Sequence, residues 1–448
     1  MGVKSTTETI KGQEIEDDVT TDEKSEGIDA SKLEALKNKM SKKQEIKTEI
    51  KMEPTKSIRF GVIGSGQAGG RLSSEWFKLG YPAVAINTAP QDLAHIELPE
   101  ENKLLLDHGL GGAAKELDIG ASAADTYRKE IDSLINRKLG NAQVLLFCTS
   151  LGGGSGAGSV ETVVELLSGM DMPVVVMTVL PKSSDDAKIK DNAVQTLAKL
   201  TNMVTSNKIC NLIVADNAKI ETIYSDVGPL NFFPVSNQAM IEPIDKFNTL
   251  SSMPSPVTPL DPTEFGKMFT DGGGLTVYGT IKVSNYEDET AIAEAVIEDL
   301  NNSLLASGFD LKQAKYAGTI FTASEKVWNK IPNASVDYAM SLINEACGIP
   351  SGIFQGIYAV DTNENVVTVY SMFSGLGLPD SRIQQLRNEA KESQAKAQKK
   401  DQERNLTLKL DVGDQTVNAA EEIKKRIQNK KSKFGGLVNK AVIDRRKK

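Results

Sequence analysis

Seven consecutive residues constrain this chain more than any others: Gly152-Gly153-Gly154-Ser155-Gly156-Ala157-Gly158. The apolar run Val144-Leu145-Leu146-Phe147-Cys148 leads into them and reads as a buried strand. Val160–Leu167 leads out of them, with apolar residues at helical spacing. The glycines are therefore expected on a strand-to-helix turn, with a helix opening near Ser159. Without Cβ atoms they let a ligand reach the main-chain N–H groups. Such groups, at the positive end of a helix, suit a polyanion such as a polyphosphate. A flexible Gly/Ser turn is the bland alternative, and the rest of the chain weighs against it.

A second glycine cluster, Gly64-Ser65-Gly66-Gln67-Ala68-Gly69-Gly70, follows the short strand Ile58–Ile63 and precedes the amphipathic stretch Leu72–Leu79. This is G-x-G-x-x-G, a dinucleotide-fold fingerprint. A nicotinamide enzyme would also want an acidic residue ending the next strand, yet Ala83–Ile86 ends in Asn87-Thr88. A third loop, Gly109–Ala114, follows Leu104–Leu106. Strands Val174–Leu180 and Cys210–Val214, the latter running on to Asp216-Asn217, flank a long helix over Lys188–Val204. This alternation predicts an α/β fold with a doubly wound parallel sheet. Ligands of such sheets sit beyond the carboxyl ends of the strands, where all three loops fall.

Past Pro229 the pattern changes. A long connecting helix is expected over Ser236–Leu250, disturbed in its first turns by Pro243, and then a loop with Pro254, Pro256, Pro259 and Pro262. A second, smaller α/β (α+β) unit follows, with strands at 275–283, 314–322, 356–360 and 366–373 and helices at 289–305 and 336–345. The expected organisation is a polar, disordered tail (1–57), a nucleotide-binding domain (58–232), a central helix and loop (233–260), a second domain (261–378) and a charged helical or disordered tail (379–448). Residues 421–448 hold 11 Lys/Arg against three Asp/Glu, although the whole chain carries −8. Three scattered cysteines and two histidines give no disulfide framework, metal spacing or histidine triad. No apolar run is long enough for a membrane span, so a cytoplasmic protein is expected.

With these residues in view, the sequence resembles the tubulin/FtsZ superfamily over about Ile58 to Leu378, and most of all the phage- and plasmid-encoded tubulin-like GTPases (TubZ/PhuZ type). Gly152–Gly158 is similar to the family's G-G-G-[ST]-G-[ST]-G signature, with Ala157 at a position usually hydroxylated. Gly66-Gln67-Ala68-Gly69 resembles the first nucleotide loop. Asn87-Thr88 resembles the second loop's Asn-Thr-Asp, with Ala89 replacing the acidic residue; Asp92 is a candidate substitute. Asp216-Asn217-Ala218 is similar to the guanine-reading asparagine loop. Leu260-Asp261-Pro262-Thr263-Glu264-Phe265 resembles the loop whose acidic pair enters the next subunit's pocket, with Pro259 where the family usually has asparagine. Phe373-Ser374-Gly375-Leu376-Gly377 resembles the family's closing strand.

The resemblance implies a Mg2+-dependent GTPase that binds GTP and GDP and polymerises head to tail. Gly66, Gln67, Ala68 and Gly69, with Asn87 and with Gly152, Gly153, Gly154, Ser155 and Gly156, would hold the nucleotide. Gly111, Gly112 and Ala113 would approach the γ-phosphate. Asn217 and Asn237 would read guanine, Phe233 would stack on it and Asp185 would touch the ribose. Asp261 and Glu264 of a neighbouring copy would polarise the attacking water. By default Asn217 is a helix cap, Phe233 a core residue, and Asp261 and Glu264 first-turn acids favoured by the helix dipole. The basic tail would engage DNA or a DNA-binding adaptor. A cell-division filament protein, a relative that no longer hydrolyses GTP and a nucleotide-dependent oxidoreductase stand as alternatives.

Overall fold

The computed structural model describes residues 55–407, except 333 and 349. Of the tails expected at 1–57 and 379–448, residues 1–54 and 408–448 lie outside the described residues. Alternating strands and helices build the first half: β1 (Phe60–Ser65), α1 (Gly66–Lys78), β2 (Ala83–Asn87), α2 (Pro90–Ala94), β3 (Lys103–Leu105), α3 (Leu117–Thr126), α4 (Arg128–Leu139), β4 (Val144–Ser150), α5 (Gly154–Gly158), α6 (Val160–Ser168), β5 (Val174–Leu180), α7 (Ala187–Thr205), β6 (Asn211–Asp216) and α8 (Asn217–Ile223). The long helix α9 (Pro229–Leu250) follows, then α10 (Pro262–Thr270), β7 (Leu275–Val283), α11 (Ala291–Glu298), β8 (Tyr316–Ala323), α12 (Glu325–Trp328), α13 (Ala334–Cys347), β9 (Gly352–Ala359), β10 (Val367–Leu376) and α14 (Asp380–Thr407).

All ten strands join one sheet in the order β3-β2-β1-β4-β5-β6-β7-β10-β8-β9. The first six are parallel, with the crossover between β1 and β4 that doubly wound sheets use to form a ligand crevice. The second unit joins this sheet at its edge, through the parallel pairs Leu212–Leu275 and Ile213–Thr276. Val, Ile and Leu crowd the central strands because both faces are covered. On one face α3, α4, α6 and α7 pack against Ile63, Phe147, Val176 and Val214. On the other, α1, α9 and α10 pack against Phe60, Leu146, Met177 and Ile213.

Three expectations need correction. The central helix starts at Pro229, not Ser236, with Gly228 as its N-cap. Pro229 takes the first helical position, where its missing N–H costs nothing. Pro234 and Pro243 both sit inside the helix. The carbonyl of Met240, one turn before Pro243, accepts a hydrogen bond from the Tyr278 hydroxyl (2.8 Å). The helix expected over 289–305 ends at Glu298 and passes into one π turn, Asp299–Ser303. Finally, α14 is not simply a solvated segment, because Arg382, Ile383, Leu386 and Ala390 are buried.

The π turn sets Asp299 over Gly279 of β7, where any Cβ would lie 2.6 Å from Oδ1. Gly279 pairs with Ser371 of β10, Ser371 with Thr319 of β8, and Thr319 with Gln355 of β9. Registered partners share a face, so these residues form one polar row across an otherwise apolar surface. Asp299 is fully buried, and neither of its oxygens has a hydrogen-bond partner; the side-chain oxygens of Ser371, Thr319 and Gln355 likewise have none. Burial raises the Asp299 carboxyl to about 7, and nearby Ser371 only softens that shift.

Candidate active site

Four loops meet beyond the carboxyl ends of β1, β2, β3 and β4. Gly66 opens α1 with φ +72°, in the left-handed region. A Cβ there would lie 2.9 Å from the Gly156 nitrogen. A Cβ on Gly156 would meet the Ser65 carbonyl oxygen at 2.9 Å and Thr149 Oγ1 at 2.7 Å. A Cβ on Gly154 would lie 2.7 Å from that of Ala113, and one on Gly112 would lie 3.6 Å from that of Ala89. Hydroxyls complete the join: Thr88 with Ser155, and Ser65 with Ser159 at 2.6 Å. Gln67 donates to Asp92 across 2.9 Å. The central glycines are more helical than expected, since α5 begins at Gly154, on a cap formed by Gly153.

Gly152 packs against Ile189 of α7, whose Asn192 donates to the Gly152 carbonyl (3.1 Å) and to that of Lys115 (2.9 Å). Gly111, Gly112, Ala114 and Lys115 all have positive φ. Non-glycine residues hold that conformation only where their surroundings impose it. Here Lys115 pairs with Asp186 at 2.5 Å, and its ammonium depresses the Asp186 carboxyl below the ordinary range. Asn87 ends β2 almost fully buried; its Oδ1 accepts from the Ala89 N–H (3.1 Å), while its Nδ2 has no partner. An orphaned donor beside N–H-lined glycine turns fits a ligand rich in acceptors. Among the described residues no group of three or more His, Cys, Asp or Glu could hold a metal ion.

Along the crevice, Asp216 rather than Asn217 caps α8, accepting from the Ala218 N–H (3.0 Å). Asn217 is the first helical residue, half-buried. Asp185 accepts from the Lys182 N–H (2.8 Å). Phe233 is 41% exposed, with the Arg71 guanidinium 4.7 Å and the Lys182 ammonium 5.4 Å from its ring centre. Arg71 lies on α1, so α9 begins beside the first glycine loop. Asn237 follows one turn later and is buried. Thus the glycine loops and Asn87 come together, and Phe233 stands beside α1.

Asp261 and Glu264 do not join them. The far end of α9 is tied to the start of β1, where Asn248 accepts from the Ile58 N–H (2.7 Å) and donates to the Ile58 carbonyl (2.8 Å). The loop bearing the acids follows that end. A 22-residue helix spans roughly 33 Å. Both carboxylates close a capping box on α10: Asp261 accepts from the Thr263 N–H (2.6 Å) and Glu264 from the Asp261 N–H (2.9 Å).

Two family models match the chain in succession. The "Tubulin/FtsZ family, GTPase domain" covers residues 59–225, and the "Tubulin/FtsZ-like protein TubZ-like, C-terminal domain" covers 246–387. The chain belongs to the tubulin/FtsZ family. Among relatives, the tubulin-like protein TubZ of Bacillus cereus is 22% identical over 362 residues, 74% of this chain and 82% of that protein. The tubulin-like protein CetZ of Pyrococcus abyssi is 25% identical over 329 residues, 71% of this chain and 86% of that one. Among solved structures, a GTPγS-form protofilament of Bacillus thuringiensis serovar israelensis TubZ matches with TM-score 0.69 at 22% identity, covering 78% of this chain and 95% of that one. A helical model of the TubZ-Bt two-stranded filament matches with TM-score 0.70 at 21% identity, covering 80% and 94%. These likenesses establish the fold. No helix among the described residues is long and apolar enough to cross a membrane.

For this tubulin/FtsZ-family chain, the tight approach of Gly66 to Gly156 gives a first prediction. Gly66→Ala adds both a strained φ and an overpacked methyl, together worth about 1–3 kcal/mol. Nucleotide binding measured by fluorescence titration is expected to weaken about 5- to 150-fold, following that energy. Sequence reasoning placed Thr88 and Asp216 in the nucleotide loops but gave them no role, and it missed Arg382. Asp216 is an acidic residue just before a helix, an N-cap signal. Arg382 begins the spacing Ile383, Leu386, Ala390, one helical stripe in a charged segment.

Proposed function

We propose that this protein hydrolyses GTP and polymerises head to tail into dynamic filaments that position or segregate DNA, each active site being completed by the neighbouring copy. The observation that carries this reading is the separation of two half-sites, glycine loops at one end of α9 and the Asp261–Glu264 pair beyond the other. No single chain brings them together. A contact between unlike faces does not close on itself and so builds a filament. The likeness to TubZ relatives and to TubZ filaments supports the same reading.

The N–H groups of Gly64–Gly70 and Gly152–Gly158 hold the phosphates, with Gly111, Gly112 and Ala113 against the last of them. The Asn87 amide supplies a further donor. Asn217 and Asn237 read the guanine edge, Phe233 stacks on the base and Asp185 meets the ribose. Mg2+, when bound, neutralises phosphate charge; it suits a site rich in phosphate oxygens and water with few protein carboxylates. Asp92 is a candidate carboxylate for it, though Gln67 engages it. Asp261 and Glu264 of the next copy leave their capping box and orient the attacking water. The basic stretch 421–448 binds DNA phosphates or an acidic adaptor surface. Deleting it should abolish DNA or adaptor capture in a pull-down without affecting assembly.

Two exposed aliphatic side chains mark the meeting faces. Leu230, 93% exposed, begins α9 beside the crevice, and Val257, 66% exposed, precedes the acidic pair. Leu230→Glu or Val257→Glu should raise the critical concentration for assembly about tenfold or more, since each buries a charge where an apolar group was worth about 1.5–3 kcal/mol. Electron microscopy and light scattering with GTP, GDP or NAD test the whole reading. GTP-dependent filaments are the expected result. A chain that binds NAD, or that forms no polymer with GTP at any concentration, overturns it.

A further inference from the structure

A buried chain of charges joins the C-terminal helix to the nucleotide crevice. Arg382 of α14 donates through Nε to Asp216 Oδ2 (2.5 Å) and through Nη2 to Asp216 Oδ1 (3.2 Å). The same Nη2 donates to the Pro181 carbonyl (3.2 Å). Glu389, two turns along α14, lies 3.8 Å from Arg382 Nη1 and 2.9 Å from the Lys190 ammonium, the latter as an ion pair without hydrogen-bond alignment. Lys190 in turn donates to the Ser183 carbonyl (2.6 Å). Asp216, Arg382 and Lys190 are each at most 5% exposed.

These partners are not scattered. Pro181 and Ser183 belong to the loop after β5, which carries Asp185. Asp216 ends β6 and caps the helix that begins with Asn217. One guanidinium thus holds both loops that carry the expected ribose and guanine contacts. A glycine admits it: at Gly308, φ +89°, a Cβ would crowd Ser381, next to Arg382. A glue between α14 and α7 needs no charges, since Ile383, Leu386 and Ala390 already supply apolar burial. Buried ion pairs add little stability over apolar residues of the same size, but they fix geometry. An arginine fork fixes it in two dimensions, as a lysine ammonium does not.

We propose that Arg382 is a positioning residue for the nucleotide site, through which α14 sets the geometry of the 181–186 and 216–217 loops and so the affinity for guanine nucleotide. This rests on the GTP-binding reading above. Coupling is reciprocal, so bound nucleotide also stiffens the docking of α14, and whatever grips α14 alters nucleotide affinity.

The test uses the full chain. Arg382→Met is expected to raise the Kd for GDP and for a fluorescent GTP analogue 5–150-fold, the span usual for coupled sites. Turnover at saturating GTP and saturating protein is expected to stay within about twofold, a KM effect rather than a kcat effect. Arg382→Lys should fall between wild type and Arg382→Met. Glu389→Gln, at the more exposed end, should show a smaller shift of the same sign. Amide exchange in 181–186 and 216–218 of Arg382→Met should quicken without nucleotide. Should Arg382→Met fold yet bind nucleotide like wild type, the proposal is overturned. If Arg382→Met does not fold, Glu389→Gln decides: unchanged affinity and unchanged exchange also overturn it. A wild-type chain that binds no guanine nucleotide defeats the underlying reading instead, which separates the two failures.

Discussion

Glu264→Gln should leave GTP binding intact and lower turnover by about 10²–10⁴, the range lost with a general base or water-orienting group. Asp261→Asn should do the same, and asparagine keeps the cap on α10 because its oxygen still accepts from the Thr263 N–H. Alanine is the poorer choice, since losing the cap adds about 1 kcal/mol of instability. The structure supplies a stricter form of the experiment. Copies lacking Glu264 keep their glycine loops, and copies carrying Gly66→Ala keep their acids. Mixed together, each defective population lends the other its intact half, so turnover should rise above the sum of the two alone. Specific activity of wild type should climb with concentration and vanish on dilution. Equal specific activity in demonstrably monomeric and concentrated samples would refute the split site.

The second large effect concerns Asp299. Its carboxyl is raised to about 7 from an unfolded value of 3.8. Between those values the folded chain holds a proton that the unfolded chain has released, so stability is complete at low pH and falls as pH rises through 7. Holding that proton across one pH unit costs about 1.4 kcal/mol, so the whole loss is at most about 4 kcal/mol. Asp299→Asn should remove this penalty: equal to wild type near pH 4, and more stable by a few kcal/mol at pH 8.5, read as the urea midpoint. The amide also puts a donor beside Ser371, whose hydroxyl has no partner. A pH-independent difference between the two proteins would show that the row is solvated and the carboxylate charged.

Much of the fold and part of the site is legible in the sequence, for identifiable reasons. Glycine loops next to apolar runs mark the ends of β1 and β4 because only glycine tolerates the contacts between Gly66 and Gly156. Strand β6 ends at Asp216, as its pattern implies. The start of α9 is not legible, because Pro234 and Pro243 each argue locally against a helix that tertiary packing then imposes. The role of Asp216 is hidden for a different reason: its partner is 166 residues away, in a segment whose composition reads as solvated. No local pattern reveals a single guanidinium reaching back to the ends of β5 and β6. Likewise, Asp299 reads as one more helix-face acid until the register of four strands sets Ser371, Thr319 and Gln355 in its row.

The length of α9 carries one last consequence. In the filament proposed above, α9 keeps the phosphate cradle and the acids apart within every copy, so the two tips would be chemically unlike. The copy at one tip would have a filled cradle but no successor to attack its nucleotide, and would keep its triphosphate however old the polymer grew. The copy at the other tip would offer bare acids to the solvent, its own cradle already covered. Age would then be written into the lattice from within, and the tip with the uncovered cradle is where a growing polymer would stay durable.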